Sequence, residues 1–290
     1  FASVSEHPDF IASCERLKDN LNVSKLAFTK AVERNAQWRK EVFGSAKRAR
    51  ITLGQAIAVA EDPNLPRLRQ DLRQDIFDKV KAGQDVVLLG DEGHGKSWLA
   101  AQICSSTQGM GLFLSAESFD GISTDKLEEF LIDMLIKQSG DASDRPLRDR
   151  WGHRLKAWRA SPPLAQLLVI VDGINQREGL RWGRILNALH FTLQEIGARL
   201  IVTARPQFWN KVVLPGLNLT PTVIQVPEWS PQERDILLDH YGIHRDWLDD
   251  PTRKTLCNPR LLGVAIQTLP RHEPSAWKGL TTDRLLMEHL

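Results

Sequence analysis

Eight consecutive residues, Gly90-Asp91-Glu92-Gly93-His94-Gly95-Lys96-Ser97, fit the spacing G-x-x-x-x-G-K-[ST]. Their chemistry is the capture of phosphate. Glycines let a loop curl until several backbone N–H groups converge on one anion. A helix beginning at Lys96 aims the positive end of its dipole at the same point. Lys96 then reaches the outer phosphates and the Ser97 hydroxyl holds Mg²⁺. Gly90, Gly93, His94, Gly95 and Trp98 complete the expected nucleotide-binding set, with His94 as a spacer. Asp91 and Glu92 are expected to point to solvent.

A second candidate is Asp172, at the end of "LLVIVDG". A buried aliphatic strand that delivers one carboxylate to its carboxyl end is what a Mg²⁺-bound water needs. The bland alternative is a helix N-cap; beside the phosphate loop, the metal role is expected. Hydrolysis also needs a group to activate water, usually a carboxylate. Asn175 and Gln176 stand where one would sit, and an amide orients water without taking its proton. Gln176 is therefore grouped with the catalytic candidates Lys96, Asp172 and Arg205, and slow turnover is expected. Glu178 lies two residues farther on. Arg205, just past "RLIVTA", can touch a γ-phosphate from the same sheet edge; the alternative is a surface arginine.

These residues need a scaffold. "DVVLLG", "MGLFLSA", "LLVIVDG", "ARLIVTARP" and "PTVIQVPEW" read as five short buried strands, with helical patterns between them. That alternation predicts an α/β fold with a parallel sheet covered on both faces. "FIASCERLKDNL" and "KLAFTKAVERNAQWRKEVFG" carry helical periodicity, and Gly44 suits a helix end. "RITLGQAIAVAEDPNLP" is ambiguous. "LRQDLRQDIFDKVKAGQ" is an amphipathic helix with Leu68, Leu72, Ile76, Phe77 and Val80 on one side, ended by Gly83. From Ser230 onward the pattern is helical.

The 290 residues carry 42% hydrophobic and 26% charged side chains and a net charge of +2, which does not advertise nucleic acid or membrane. Cys14, Cys104 and Cys257 fit no metal or disulfide spacing and suit a reducing, cytoplasmic compartment. No signal peptide or membrane-length apolar run is visible. The start at "FASVSEHPDF" without Met, and the end at "TTDRLLMEHL" inside a helical pattern, suggest a piece of a longer polypeptide.

In order, these motifs resemble the STAND class of P-loop NTPases, the NACHT and NB-ARC relatives. "GDEGHGKS" matches the Walker A, "LLVIVDGINQ" the Walker B, and "RLIVTARP" the sensor-1 strand. "VIQVPEWSPQERDILLDHYG" looks like entry into the small helical domain. "LCNPRLLGVAIQTL" resembles the motif whose proline, here Pro259, packs on adenine. The "DGIN" step and the Arg-Pro ending look most like the bacterial antiviral, NLR-like branch.

The resemblance implies a P-loop core of the ASCE type at 65–228, and a helical lid at 229–280. It also implies the start of a winged helix at 281–290, with residues 1–64 as a helical linker. It implies ATP/ADP and Mg²⁺ as cofactors and ATP-driven assembly into a homo-oligomeric ring or tetramer. A C-terminal sensor for a protein trigger and an N-terminal effector would lie outside this chain, and nucleic acid would be met only by that effector. Family members usually carry acidic residues where Asn175 and Gln176 stand.

Two other readings remain. An AAA+ type ATPase that loads or remodels nucleic-acid complexes would use "NPRLL" as a second sensor, with Arg260 reaching nucleotide. A direct nucleic-acid binder would use Arg145, Arg148, Arg150, Arg154, Lys156 and Arg159 among Trp151 and Trp158, with "KRAR" at Lys47–Arg50. The expectation for that stretch is a helix whose tryptophans pack on the sheet.

Overall fold

The computed structural model describes residues 8–54, 57, 69–140, 145–161, 167–270 and 273–289. The boundary expected at 64/65, Leu68, most of the ambiguous stretch after Gly54, and residues 141–144 before Arg145 lie outside them.

Three helices come first: α1 (Pro8–Phe43), α2 (Ala46–Leu53) and α3 (Gln70–Lys81). Then strands and helices alternate as β1 (Val86–Leu89), α4 (Lys96–Ser106), β2 (Met110–Ser115), α5 (Leu127–Lys137), α6 (Arg145–Ala160), β3 (Leu167–Asp172), α7 (Trp182–Glu195), β4 (Arg199–Ala204), the single turn α8 (Pro206–Phe208) and β5 (Thr222–Gln225). The chain closes with α9 (Pro231–His240), α10 (Asp250–Thr255), α11 (Pro259–Thr268) and α12 (Thr282–His289).

All five strands are parallel, in the order β2-β3-β4-β1-β5. The fold is α/β, a five-stranded parallel sheet covered by helices on both faces, as the alternation of strands and helices predicts. Because strand side chains alternate faces, the aliphatic runs divide into two cores. Val87, Leu112, Val169 and Val202 face a core closed by α5, α6 and α7. Val86, Phe113, Ile170 and Ile201 face the other, closed by α1 to α4. Along β1 to β4 both faces are therefore dry, which is why those strands read as continuous apolar runs. The fifth strand is not buried as expected: β5 lies at the sheet edge, where only Ile224 is buried and Val223 faces solvent.

The two helical stretches expected between residues 10 and 44 are one helix, α1. The intervening "NVS" contains no Gly or Pro, and such residues cost well under about 1 kcal/mol each in a helix. Its second half is bound to the sheet. Asn35 donates to Gly111 O at 3.1 Å and accepts from Gly111 N at 2.9 Å. Gln138, just after α5, treats Phe113 the same way, at 2.8 Å and 2.9 Å. Two side-chain amides thus take the place of a neighbouring strand along the outer edge of β2. Arg39, only 2% exposed, donates to the carbonyls of Cys104, Thr107 and Gly109 where α4 ends.

In α6, Trp151 and Trp158 are buried in the first core, as expected. Arg159 pairs with Glu128 and Glu195, Arg148 with Asp133, and Arg154 lies 4.6 Å over the Phe28 ring. Much of the basic face is thus spent within the chain. The C-terminal helices form a third core around Trp229, Leu238, Leu262 and Trp277, which also takes Leu285 of α12. A capping box at Ser230 and Glu233 starts α9. Among the described residues no helix is long and apolar enough to cross a membrane.

Candidate functional site

The candidate residues gather where β1, β3 and β4 end, at the carboxyl edge of the sheet. Loops at that edge are where α/β folds bind ligands. Gly93 and Gly95 have φ of 82° and 81°, a left-handed backbone that suits glycine. A Cβ on Gly90 would stand 2.5 Å from Val226 O. The loop therefore needs its glycines, and α4 starts directly behind it.

Lys96 Nζ donates to Gly90 O at 2.7 Å and Asp91 O at 2.8 Å. Burial depresses its pKa below the ordinary lysine value. Asp172 opposes that shift, Arg205 adds to it, and Asp91 and Glu92 oppose it. Lys96, Asp172 and Arg205 are thus one electrostatic group. Ser97 occupies the first turn of α4.

Asp172 is fully buried, and its Oδ1 accepts from the Thr203 hydroxyl at 2.6 Å. Thr203 was not singled out in the sequence. Its signal is there, as the one polar residue inside the buried "LIVTA" run. After Asp172 the chain turns through Gly173 at φ 71°. The Gln176 side chain folds over Gly173, and Asn175 Oδ1 accepts from Arg205 N at 3.2 Å. Glu178 is exposed beyond that turn.

Glu92 does not simply point to solvent. Its Oε2 accepts from Arg205 Nη2 at 2.6 Å and its Oε1 from Arg260 Nη1 at 2.8 Å. One loop carboxylate joins an arginine of the sheet to an arginine of the helical unit. The backbone joins there too: Arg260 N donates to Gly93 O at 3.2 Å and Asn258 Nδ2 to Glu92 O at 3.1 Å. Asn258 also caps α11, accepting from Arg260 N and Leu261 N. Pro259, the first residue of α11, lies beside Gly95. The C-terminal helices therefore dock their α11 N-terminus on the phosphate loop.

His94 is more than a spacer. Its ring contacts Val226 O at 3.0 Å, and Glu228 stands 3.7 Å away. Its carbonyl accepts from Arg69 Nη1 at 2.8 Å, while Arg69 Nη2 donates to Pro227 O at 2.5 Å. Arg69 also lies 4.1 Å over the Trp229 ring. It ties the phosphate loop to the segment leading into the helical unit, and nothing in its sequence context reveals this. Trp98 stands edge-on to Trp229 at 6.3 Å and packs against both the second and third cores.

The loop's curvature and Lys96 suit a phosphate chain, and Ser97 with Asp172 offers the hard oxygen donors that Mg²⁺ takes. Among the described residues no group of three or more His, Cys, Asp or Glu is placed to hold a metal. A cation held here would rely on water and phosphate oxygens, the usual manner of Mg²⁺.

No protein-family model and no curated protein matches the sequence. Solved structures do resemble the fold. The ORC2 protein of Aeropyrum pernix, solved as ADPNP-ADP complexes, is 14% identical with a TM-score of 0.48, over 77% of this chain and 67% of that one. The ORC1 protein of Aeropyrum pernix, solved in complex with DNA, is 13% identical with a TM-score of 0.47, over 78% and 66% respectively. The chain spans about two thirds of each, and at these identities the likeness is one of fold.

Proposed function

We propose that this chain is a nucleotide-dependent switch, in which ATP or ADP binds between the P-loop sheet and the C-terminal helices. The docking of α11 on the phosphate loop carries this reading, because Asn258, Pro259 and Arg260 all meet the loop that would hold the phosphates. A ligand in that loop changes what the helical unit rests on, and differential contacts are all that a two-state device requires. Lys96 and Arg205 would bind the outer phosphates, Ser97 and Asp172 would hold Mg²⁺, and Pro259 would face the base. Bound Mg²⁺ would supply charge neutralisation between phosphates. With the amides of Asn175 and Gln176 standing beyond Asp172, where a carboxylate base is expected, turnover would be slow. The finer reading is a STAND-class module that self-associates on ATP binding in bacterial antiviral defence. It rests on the ordered motifs of the sequence.

One observation favours a second reading. Arg260 reaches the phosphate loop from the helical unit, as the second sensor of an AAA+ type ATPase acting on nucleic-acid complexes would. The rate of hydrolysis separates the two, since a remodelling machine turns over steadily.

The test is to purify the protein without added nucleotide, denature it, and chromatograph what is released, beside Lys96→Ala. About one ADP or ATP per wild-type chain and none in the variant is expected. Normal ATP binding by Lys96→Ala removes the site assignment, and rapid steady hydrolysis by the wild type removes the switch.

A further inference from the structure

We infer that Glu92 is a built-in competitor of the nucleotide's terminal phosphate, holding Arg205 and Arg260 until ATP displaces it. The inference rests on the nucleotide-binding reading above and adds how the site tells ATP from ADP.

The geometry is specific. Arg205 follows β4 and Arg260 opens α11, far apart in sequence, and each donates to a different oxygen of one carboxylate. That carboxylate belongs to the phosphate loop itself, three residues before Gly95 and four before Lys96. All three side chains are about half exposed, at 48%, 53% and 58%, so the pairs exchange readily with an incoming anion. A carboxylate offers one negative charge and two oxygens. A terminal phosphate offers more of both, and guanidinium forks bind it strongly. Lys96 is likewise held by loop carbonyls, so the cations of the site rest on loop groups. The two arginines come from the two lobes, so their release from Glu92 changes both phosphate recognition and the seat of α11.

ATP should therefore displace Glu92 from both arginines, and ADP, lacking the terminal phosphate, should leave the clamp closed. Glu92→Gln keeps the shape, loses the charge and sits in an exposed loop. Calorimetric titration of the full chain with ATP and with ADP, in Mg²⁺ buffer, is the experiment. Glu92→Gln should tighten ATP about tenfold, equal to about 1.4 kcal/mol, and change ADP less than about threefold on the same scale. Adding Arg260→Ala should cancel most of the gain. Equal tightening of both nucleotides, no change, or weaker ATP binding would each overturn the competitor role. If the wild type binds both nucleotides, Lys96→Ala binds neither, and Glu92→Gln is silent, only the clamp is lost. A wild type that binds neither overturns the nucleotide reading and the clamp together.

Discussion

Thr203 and Asp172 stand side by side at the carboxyl ends of β4 and β3, and one hydroxyl serves two purposes. It donates to Asp172 Oδ1 at 2.6 Å and accepts from Gly173 N at 2.8 Å. The carboxylate is thereby fixed in orientation, and the turn after it is fixed in direction.

Thr203→Val keeps the size and removes both bonds. A hydrogen bond to a charged group contributes roughly 1.5–3 kcal/mol, so urea unfolding should show a loss of about 2 kcal/mol. Mg²⁺-dependent ATP affinity should fall with it, while affinity without Mg²⁺ falls less. An equal loss in both conditions would reduce Thr203 to a structural role.

Arg39 is a buried cation whose partners are carbonyls, and burial lowers its pKa below the usual arginine value. Arg39→Ala leaves the carbonyls of Cys104, Thr107 and Gly109 short of donors. A buried acceptor left without its donor costs about 1–3 kcal/mol, so a loss of about 3 kcal/mol is expected here. Arg39→Lys should recover only part, because an ammonium lacks the planar fork. Thermal melts of the three proteins check the order; a lysine variant as stable as the wild type would show that charge alone suffices.

Cys104 is fully buried and its thiol is pushed up to about 12 from 9.0 by burial, with Arg39 opposing. Between those values the unfolded chain gives up its proton while the folded chain keeps it. Folding then takes up a proton, so this contribution to stability is complete below pH 9 and is lost as pH rises. The slope approaches about 1.4 kcal/mol per pH unit, and Cys104→Ala should lack it. Iodoacetamide should label exposed Cys14 in the native protein and reach Cys104 only on unfolding. Native labelling of Cys104 at the rate of Cys14 would contradict this burial.

Arg69 holds His94 O, Pro227 O and the face of Trp229 together. Arg69→Gln should loosen the phosphate loop and the segment after β5 at once. Hydrogen exchange should rise in both places, while the edge of β2, bonded elsewhere, stays protected. Exchange that rises in only one of them would break the proposed link.

Much of this was legible in the sequence. Each of β1 to β4 is an aliphatic run buried on both faces, and such runs tell little of their order but much of their existence. Lys96 and Asp172 lie on local motifs, where strand, loop and helix follow within a few residues. Glu92 reads differently in sequence and in space, because its partner Arg260 stands 168 positions away. An acid in a glycine loop looks solvated until a distant helix is brought to it. Arg69 and Asn35 share that opacity, since their partners are backbone groups, which carry no sequence signature.

The amides of Asn35 and Gln138 on the edge of β2 constrain assembly. An exposed edge strand is a template for another chain's strand. Here Gly111 and Phe113 already have both their outward N–H and C=O groups bonded to side chains. A partner copy that tried to lengthen the sheet at β2 would first have to strip those bonds. Sheet extension at that edge is therefore disfavoured as a way for a second chain to join, and any contact made there would have to run through side chains.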